Sequence, residues 1–318
     1  MKSITALALA AIVALSLSGC TVFNTFISAG DEALLSSDLD VLVDDLSSVP
    51  GVDAVDYDLL IQPDMSYTVS VSAYATDLTE RSASDAFALV TSTYASGRFA
   101  DQTSLAFGIG PGGDGRSTAI AVSSWLEFPT EVIPDEIAYL YDVQETVGAP
   151  LSMNLDAPGD LDVNYQRFIG SSVLPDTLDW AALRKIPDTG AGFVGLSLGG
   201  VSMDGGVIPT AAEKVATRAA AIEDVEMVWN GVEGEYGISL YTADGDYAAL
   251  AEWPAVVALV DSAIASDSGF HSFLISFDEG MAVVSGNECG ADIPVTESDR
   301  ELQDLLRAAG VGVSAGYC

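Results

Sequence analysis

An internal repeat constrains the fold of this chain more than any other feature of its sequence. The pattern Ala-Leu-Val-x-Ser-x-x-Ala-Ser occurs at residues 88–96 and again at 258–266, an offset of 170 residues. At the same offset Phe107 corresponds to Phe277. Self-similarity at a fixed offset is the sequence signature of a repeated structural unit. We therefore expect the first and last thirds of the chain to fold alike.

Hydrophobic periodicity gives the repeated unit an order of elements. Apolar residues at helical spacing predict helices, and short apolar or alternating runs predict strands. In the first third we predict a helix at 34–46, strands at 52–61 and 67–74, a helix at 84–96, and strands at 104–109 and 118–128. The last third repeats this α-β-β-α-β-β order and adds a closing helix at 297–309, whereas the middle third fits it less well.

The order of elements predicts the fold class. An α-β-β-α-β-β unit is the ferredoxin-like β-α-β-β-α-β order with its first strand moved to the end. We therefore predict an α+β fold of repeated, permuted ferredoxin-like units, in which antiparallel sheets carry helices packed on one face. Separate domains and a shared sheet are both compatible with this pattern.

The N-terminal segment has the composition of an export signal. Lys2 is followed by an apolar run from Ile4 to Leu17, and small residues precede Cys20. This arrangement is typical of a secretory signal peptide, and the run is shorter than the ~20 residues of a bilayer span. The ending Leu17-Ser18-Gly19-Cys20 resembles the lipobox of bacterial lipoproteins, a resemblance that covers only the first twenty residues.

The resemblance implies a lipid-anchored protein on the extracytoplasmic face of the cell membrane. Signal peptidase II would recognise Leu17, Ser18 and Gly19 and cut before Cys20. The Cys20 thiol would then carry a diacylglycerol, with palmitate among its acyl chains. The alternatives are an ordinary signal peptide and a single transmembrane anchor.

The repeat and the export signal together give the predicted domain boundaries. They are a signal peptide at 1–19, the lipidated cysteine and a tether at 20–30, and α+β units at 31–130, 131–207 and 208–318. The last unit contains the other two cysteines, Cys289 and Cys318. An even pair in an oxidising compartment predicts a disulfide between them, worth roughly 3–4 kcal/mol for a loop of about 30 residues. Two free thiols with a redox role are the alternative.

The charge of the chain restricts its partners. It has 47 Asp and Glu against 11 Lys and Arg, a formal net charge of −36 at pH 7. Such a surface repels nucleic acid, whose binding depends on Lys and Arg neutralising phosphates. It also repels anionic lipid headgroups, so we expect membrane attachment only through the N-terminal lipid. The charge either serves solubility or attracts divalent or basic partners.

One motif raises the possibility of catalysis. Residues 195–199 match the G-x-S-x-G pattern of α/β-hydrolase nucleophile elbows, and His271, the single histidine, follows later in the chain. That chemistry needs a strained strand-to-helix turn and a base within hydrogen-bond reach of Ser197. The following residues, 201–206, predict a strand and a turn instead. We therefore assign no catalytic residue.

The many acidic residues form no recognisable metal-binding motif. Calcium needs six to eight converging oxygens, and no segment matches an EF-hand loop. The best loop candidate contains Asp156, Asp160 and Asp162, which we interpret as solvated turn residues. We predict no metal site and no cofactor.

Three functional hypotheses follow. The first is a non-catalytic lipoprotein that binds or scaffolds an envelope protein partner. The second is a lipoprotein that binds a small ligand or a divalent cation. The third is a serine hydrolase using Ser197 and His271.

Overall fold

The computed structural model describes the chain from residue 34 to residue 316, with internal gaps. The described residues are 34–61, 66–95, 103–111, 118–123, 125, 128–157, 165–175, 178–187, 193–242, 249–266, 269–278, 280–286 and 295–316.

Strands come in consecutive pairs, and a helix separates each pair from the next. The strands are β1 Ala54–Ile61, β2 Tyr67–Tyr74, β3 Thr103–Gly110, β4 Ala119–Val122, β5 Ser152–Asp156, β6 Gln166–Ser171, β7 Phe193–Leu198, β8 Val201–Asp204, β9 Val225–Asn230, β10 Glu235–Tyr241, β11 Phe270–Phe277, β12 Gly280–Ser285 and β13 Ser314–Ala315. The helices are α1 at 34–47, α2 Glu80–Thr93, α3 Ile133–Val147, α4 Trp180–Leu183, α5 Glu213–Ala219, α6 Trp253–Ala265 and α7 Glu297–Ala308. Of the helices in the described part of the chain, none combines the length and apolar character that a membrane crossing requires.

The thirteen described strands form one mixed sheet, in which they lie in chain order. The two strands of each hairpin pair in antiparallel fashion, as β1 does with β2. The two strands on either side of a helix pair in parallel, as β2 does with β3. The last strand, β13, is the exception, since it pairs antiparallel with β12 after α7. The repeating unit is therefore β-β-α.

The two faces of the sheet carry different side chains, because successive residues of a strand point to opposite faces. On one face Val71, Phe107 and Val122 lie side by side on neighbouring strands, and each is 1% exposed. Phe87 of α2 packs edge-to-face on Phe107, with ring centroids 4.8 Å apart. Apolar residues of all seven helices belong to one core with these strand residues. We call this side the helix face.

Side-chain caps and turn residues fix where the helices begin and end. Thr79 caps α2 by accepting a hydrogen bond from the Ser82 N–H. Thr296 and Asp299 form a capping box at the start of α7, each side chain accepting from the other residue's N–H. Helix α3 ends at Gly148, whose φ of 72° is left-handed and is available to glycine without steric cost.

The path of the chain through the sheet has an uncommon consequence. Strand direction reverses at every hairpin, while the sheet grows in one direction only. Helices that stay on one face must then form crossovers of alternating hand. Parallel β-α-β crossovers are right-handed in about 98% of cases. Every second crossover of this sheet therefore has the rare hand.

The predicted fold class is wrong. In a ferredoxin-like unit the crossover is split, so that another strand lies between the two strands that a helix joins. Here the joined strands are direct neighbours, as in the β6–β7 pair, and the sheet is mixed rather than antiparallel. Strands also pair across both predicted unit boundaries, β4 with β5 and β8 with β9. The predicted units therefore share one sheet.

Candidate functional site

The face opposite the helices, here called the open face, carries small side chains. A row of directly paired residues crosses it from β4 to β10. The row consists of Ala119, Ser152, Gly170, Ser197, Ser202, Val228 and Gly237. Because six of these seven residues are Gly, Ala or Ser, the strand backbone lies close to the surface along the row.

The small side chains leave a groove along the open face. The groove has a volume of about 580 Å³ and is lined by strands β2 to β8. Phe168 of β6 lies in it and is 40% exposed. Its directly paired neighbours are Asn154 on β5 and Gly195 on β7. The groove therefore offers an aromatic ring surrounded by small and polar residues.

A polar cluster lies at the β7–β9 end of the groove. The Ser202 hydroxyl oxygen is 3.2 Å from that of Ser197 and 2.8 Å from Glu226 Oε1. Asp204 lies on the same face, two residues further along β8. Burial raises the pKa of the Asp204 carboxyl above its ordinary value, and repulsion from Glu226 raises it further. Two carboxylates thus act on each other on this face.

No described lysine or arginine lies on the open face. The described lysines and arginines lie on or next to helices, with the exception of Arg167 on β6: they are Arg81, Arg184, Lys185, Lys214, Arg218, Arg300 and Arg307. Arg167 points to the helix face, since its side chain is fully buried against Glu136 of α3. The acidic side chains of the open face include Asp56 and Asp58 as well as Asp204 and Glu226. The described open face therefore carries carboxylates and no lysine or arginine, while His271 pairs with Glu235 at 3.0 Å.

Arg167 forms a buried ion pair on the side of the sheet away from the groove. Its Nη1 donates to both oxygens of Glu136, at 3.0 and 2.8 Å, and both side chains are 0% exposed. The Tyr165 hydroxyl also donates to Glu136. The guanidinium carbon lies 3.9 Å from the centroid of the Tyr139 ring. These contacts join α3 to β6 and satisfy charge within the core.

A second cavity, of about 880 Å³, lies where the helix layer is thinnest. Helix α4 has only four residues, too few to span the strands beneath it. Tyr139, Leu183 and Met203 are among the residues that line the cavity. Its size lies within the range of about 300–1,000 Å³ that is usual for small-molecule pockets.

The structure does not bring Ser197 and His271 together. Ser197 lies on β7 in a hairpin closed by Gly199 and Gly200, whose φ values are 48° and 81°. The motif therefore has a strand after its turn, not the helix that a nucleophile elbow needs. His271 lies on β11, four strand spacings or ~19 Å away along the sheet, and its Nδ1 is 3.0 Å from Glu235 Oε2.

The other predicted site residues fall mainly outside the described part of the chain. These are the lipobox residues Leu17, Ser18, Gly19 and Cys20, the cysteines Cys289 and Cys318, and the loop residues Asp160 and Asp162. Asp156 is described and is the last residue of β5. Within the described ranges no group of three or more His, Cys, Asp or Glu side chains could hold a metal ion.

The open face could not be predicted from the sequence. Its signal is an alternation of large and small residues within strands, as in Val69-Ser70-Val71-Ser72 of β2. This alternation identifies a strand with one buried face, but it does not identify the neighbouring strands. Phe168, Asp204 and Glu226 become one surface only when the strand order is known.

Comparison of the chain with protein families, curated proteins and solved structures found no match.

Proposed function

We propose that the chain is a non-catalytic, lipid-anchored protein of the extracytoplasmic membrane face, and that it binds or scaffolds a partner through the open face of its sheet. The observation that carries the binding role is the row of Gly, Ala and Ser across β4 to β10. The anchoring role rests on the resemblance of Leu17–Cys20 to a lipobox.

The row of small residues is hard to explain by stability. Glycine within a strand weakens it, because glycine loses more backbone entropy and has no side chain to pack. Gly170 has room for a methyl group, since a Cβ there would lie 3.7 Å from Ser152 Oγ. Internal packing therefore does not impose glycine at position 170, whereas a Cβ at Gly110 would lie only 2.6 Å from that of Ala119. The small residues of the row permit another surface to approach the sheet closely.

The extent of the open face supports a protein-sized contact. Nine spacings of ~4.8 Å separate β1 from β10, and strands of about six residues are ~20 Å long. The resulting area, ~850 Å², is comparable with the ~800 Å² that each partner buries in a standard protein interface. The separation of Ser197 from His271 supports the non-catalytic part of the proposal.

The anchor is tested by labelling cells with a palmitate analogue and fractionating their membranes. The unmodified chain should be labelled and found in the membrane fraction, and Cys20→Ala should abolish the label. A Cys289→Ser variant is the matched control and should keep both label and location. Labelling of Cys20→Ala, or loss of the label in Cys289→Ser, would contradict the proposed anchor.

The cavity beneath α4 supports the second hypothesis, a lipoprotein that binds a small ligand. Tyr139, Leu183 and Met203 would supply apolar contacts for such a ligand, and Arg184 and Asp204 would supply charged ones. A thermal-shift panel separates the two roles, because a ligand bound only by the native state raises the melting temperature. A clear rise with one compound, lost in Met203→Trp, would favour the small-ligand role over the scaffold.

A further inference from the structure

We infer that the open face docks a basic polypeptide segment, rich in Lys or Arg, with its contacts centred on Asp204, Glu226 and Phe168. This inference rests on the proposed binding role and names the chemistry of the partner. It combines three observations on the same face: its carboxylates, its small side chains and one exposed aromatic ring.

Charge complementarity selects a cationic partner. No described Lys or Arg side chain lies on the open face, because seven of them lie on or next to helices and Arg167 points to the helix face. Arg167 and Arg184 line the second cavity together with Asp204. Asp204 and Glu226 are close enough for the charge on Glu226 to raise the pKa of Asp204. A positive side chain placed between them would relieve this repulsion and satisfy both carboxylates.

The small side chains along the groove leave space for a polypeptide backbone. Cβ atoms added at Gly108 and Gly170 would make nearest contacts of 3.6 and 3.7 Å, so these two positions of the groove have room for side chains, whereas a Cβ at Gly110 would lie 2.6 Å from that of Ala119. An extended segment could therefore lie against the sheet, with its longer side chains directed to the carboxylates. Phe168, at 40% exposure, gives that segment an apolar or cation–π contact.

The same charges argue against other occupants. A second copy of this chain would bring an equally acidic open face, and nucleic acid and anionic lipid would be repelled. A lone divalent cation needs several converging oxygens, and the described residues contain no such group. Among macromolecules, a basic polypeptide is the partner whose charge complements this face.

The test measures binding of a fluorescent (Lys-Ser)₆ peptide to the mature chain by anisotropy at about 150 mM salt. Two open-face variants are compared with the unmodified chain. Asp204→Asn with Glu226→Gln removes two negative charges from the face. Gly170→Gln places a large uncharged side chain in the groove and leaves the net charge unchanged. The matched control is Glu252→Gln with Asp261→Asn, two exposed acidic residues on the helix side of the sheet, the first at the N-cap of α6 and the second within α6. Circular dichroism verifies that each variant folds.

We expect both open-face variants to weaken binding by about tenfold or more, and the α6 control to change it less than twofold. Equal weakening by the α6 control would mean that the peptide responds only to net charge, and would overturn the inference. Unchanged binding in both open-face variants would overturn it as well. Tighter binding of spermidine or calcium than of the peptide at this face would replace the polypeptide with a small cation.

A separate measurement distinguishes this inference from the proposed binding role. A photoreactive phenylalanine analogue in place of Phe168, which keeps the exposed aromatic ring of the groove, captures whatever covers the face in intact membranes. Capture of an acidic or neutral protein would refute the basic partner while leaving the binding role in place. Capture of one basic protein, lost in Asp204→Asn with Glu226→Gln, would support both.

Discussion

The two faces of the sheet are built from alternate residues of the same strands, yet they differ in almost every physical property. On β2 to β4 the helix face carries Val71, Phe107 and Val122, while the open face carries Ser72, Gly108 and Ala121. One face carries large apolar side chains and is covered by helices. The other carries small side chains and carboxylates, with no lysine or arginine among the described residues. The comparison teaches that stability and recognition are encoded separately along each strand.

The separation has an energetic reason. Burial of apolar surface contributes about 25 cal/mol per Å², and it is concentrated on the helix face, where one core joins the strands to all seven helices. Residues of the open face bury little apolar surface, so selection can change them at low cost to the fold. The open face is therefore free to be shaped by a partner.

The largest expected effect concerns the buried ion pair of the helix face. Glu136→Gln leaves the Arg167 guanidinium 0% exposed without its carboxylate. Removing one partner of a buried pair costs about 3–5 kcal/mol, because the remaining charge stays buried. We expect a loss of this size in the free energy of unfolding, measured by urea denaturation.

The surface pair Arg81–Asp85 is the control for Glu136→Gln. Its side chains are 92% and 53% exposed and 3.8 Å apart, and such pairs contribute about 0–1 kcal/mol. Asp85→Asn should therefore be almost neutral. Equal losses in the free energy of unfolding for Glu136→Gln and Asp85→Asn would show that solvent reaches Arg167 on the helix face.

A matched pair of phenylalanines tests the contrast between the faces directly. Phe107 on β3 is 1% exposed and Phe168 on β6 is 40% exposed. Phe107→Ala should cost about 3–5 kcal/mol through lost burial and a residual cavity. Phe168→Ala should cost less than about 1 kcal/mol in stability and should weaken peptide binding at the open face. Losses of equal size would mean that the open face is covered in the folded protein.

The elements of this fold could be predicted more fully than their arrangement. Alternation in 67–74 matches β2, and the repeated segments at 88–96 and 258–266 overlap α2 and α6, although α2 begins four residues before the predicted helix at 84–96. The pairing of strands could not be predicted, because periodicity tells which side of a strand is buried and not which strand lies beside it. The alternating hand of the crossovers also opposes the rule on which a topology prediction would rely.

The candidate site shows the same limit. Ser197 falls in a catalytic-type motif of the sequence. In the structure its hydroxyl contacts Ser202, whose hydroxyl donates to Glu226. Phe168 and Asp204 carry no motif, and each is unremarkable on its own strand. Only the register from β6 to β8 places them in one row. The strands of the site are therefore predictable from the sequence, but the surface that they form together is not.

The smallest expected effect concerns the pH dependence contributed by Asp204. Its pKa is raised in the folded protein above 3.8, mainly by burial and secondly by Glu226. A raised folded-state pKa means that the native state holds this proton more tightly than the unfolded chain does. Its contribution to stability is therefore fully present below the unfolded-state pKa and is lost as pH rises through the folded-state pKa.

Asp204→Asn removes this titration and should flatten that part of the pH dependence. Relative to the unmodified chain, the variant should gain stability between acidic and neutral pH, by no more than the ~0.5 kcal/mol typical of surface substitutions. Glu226→Gln removes only the smaller cause, so it should reduce the pH dependence without abolishing it. Urea denaturation at several pH values from 3.5 to 7.5 measures both. A loss of stability in Asp204→Asn over this pH range would mean that a cation already neutralises Asp204 in the free protein. The open face would then lack the uncompensated charge that distinguishes it from the helix face.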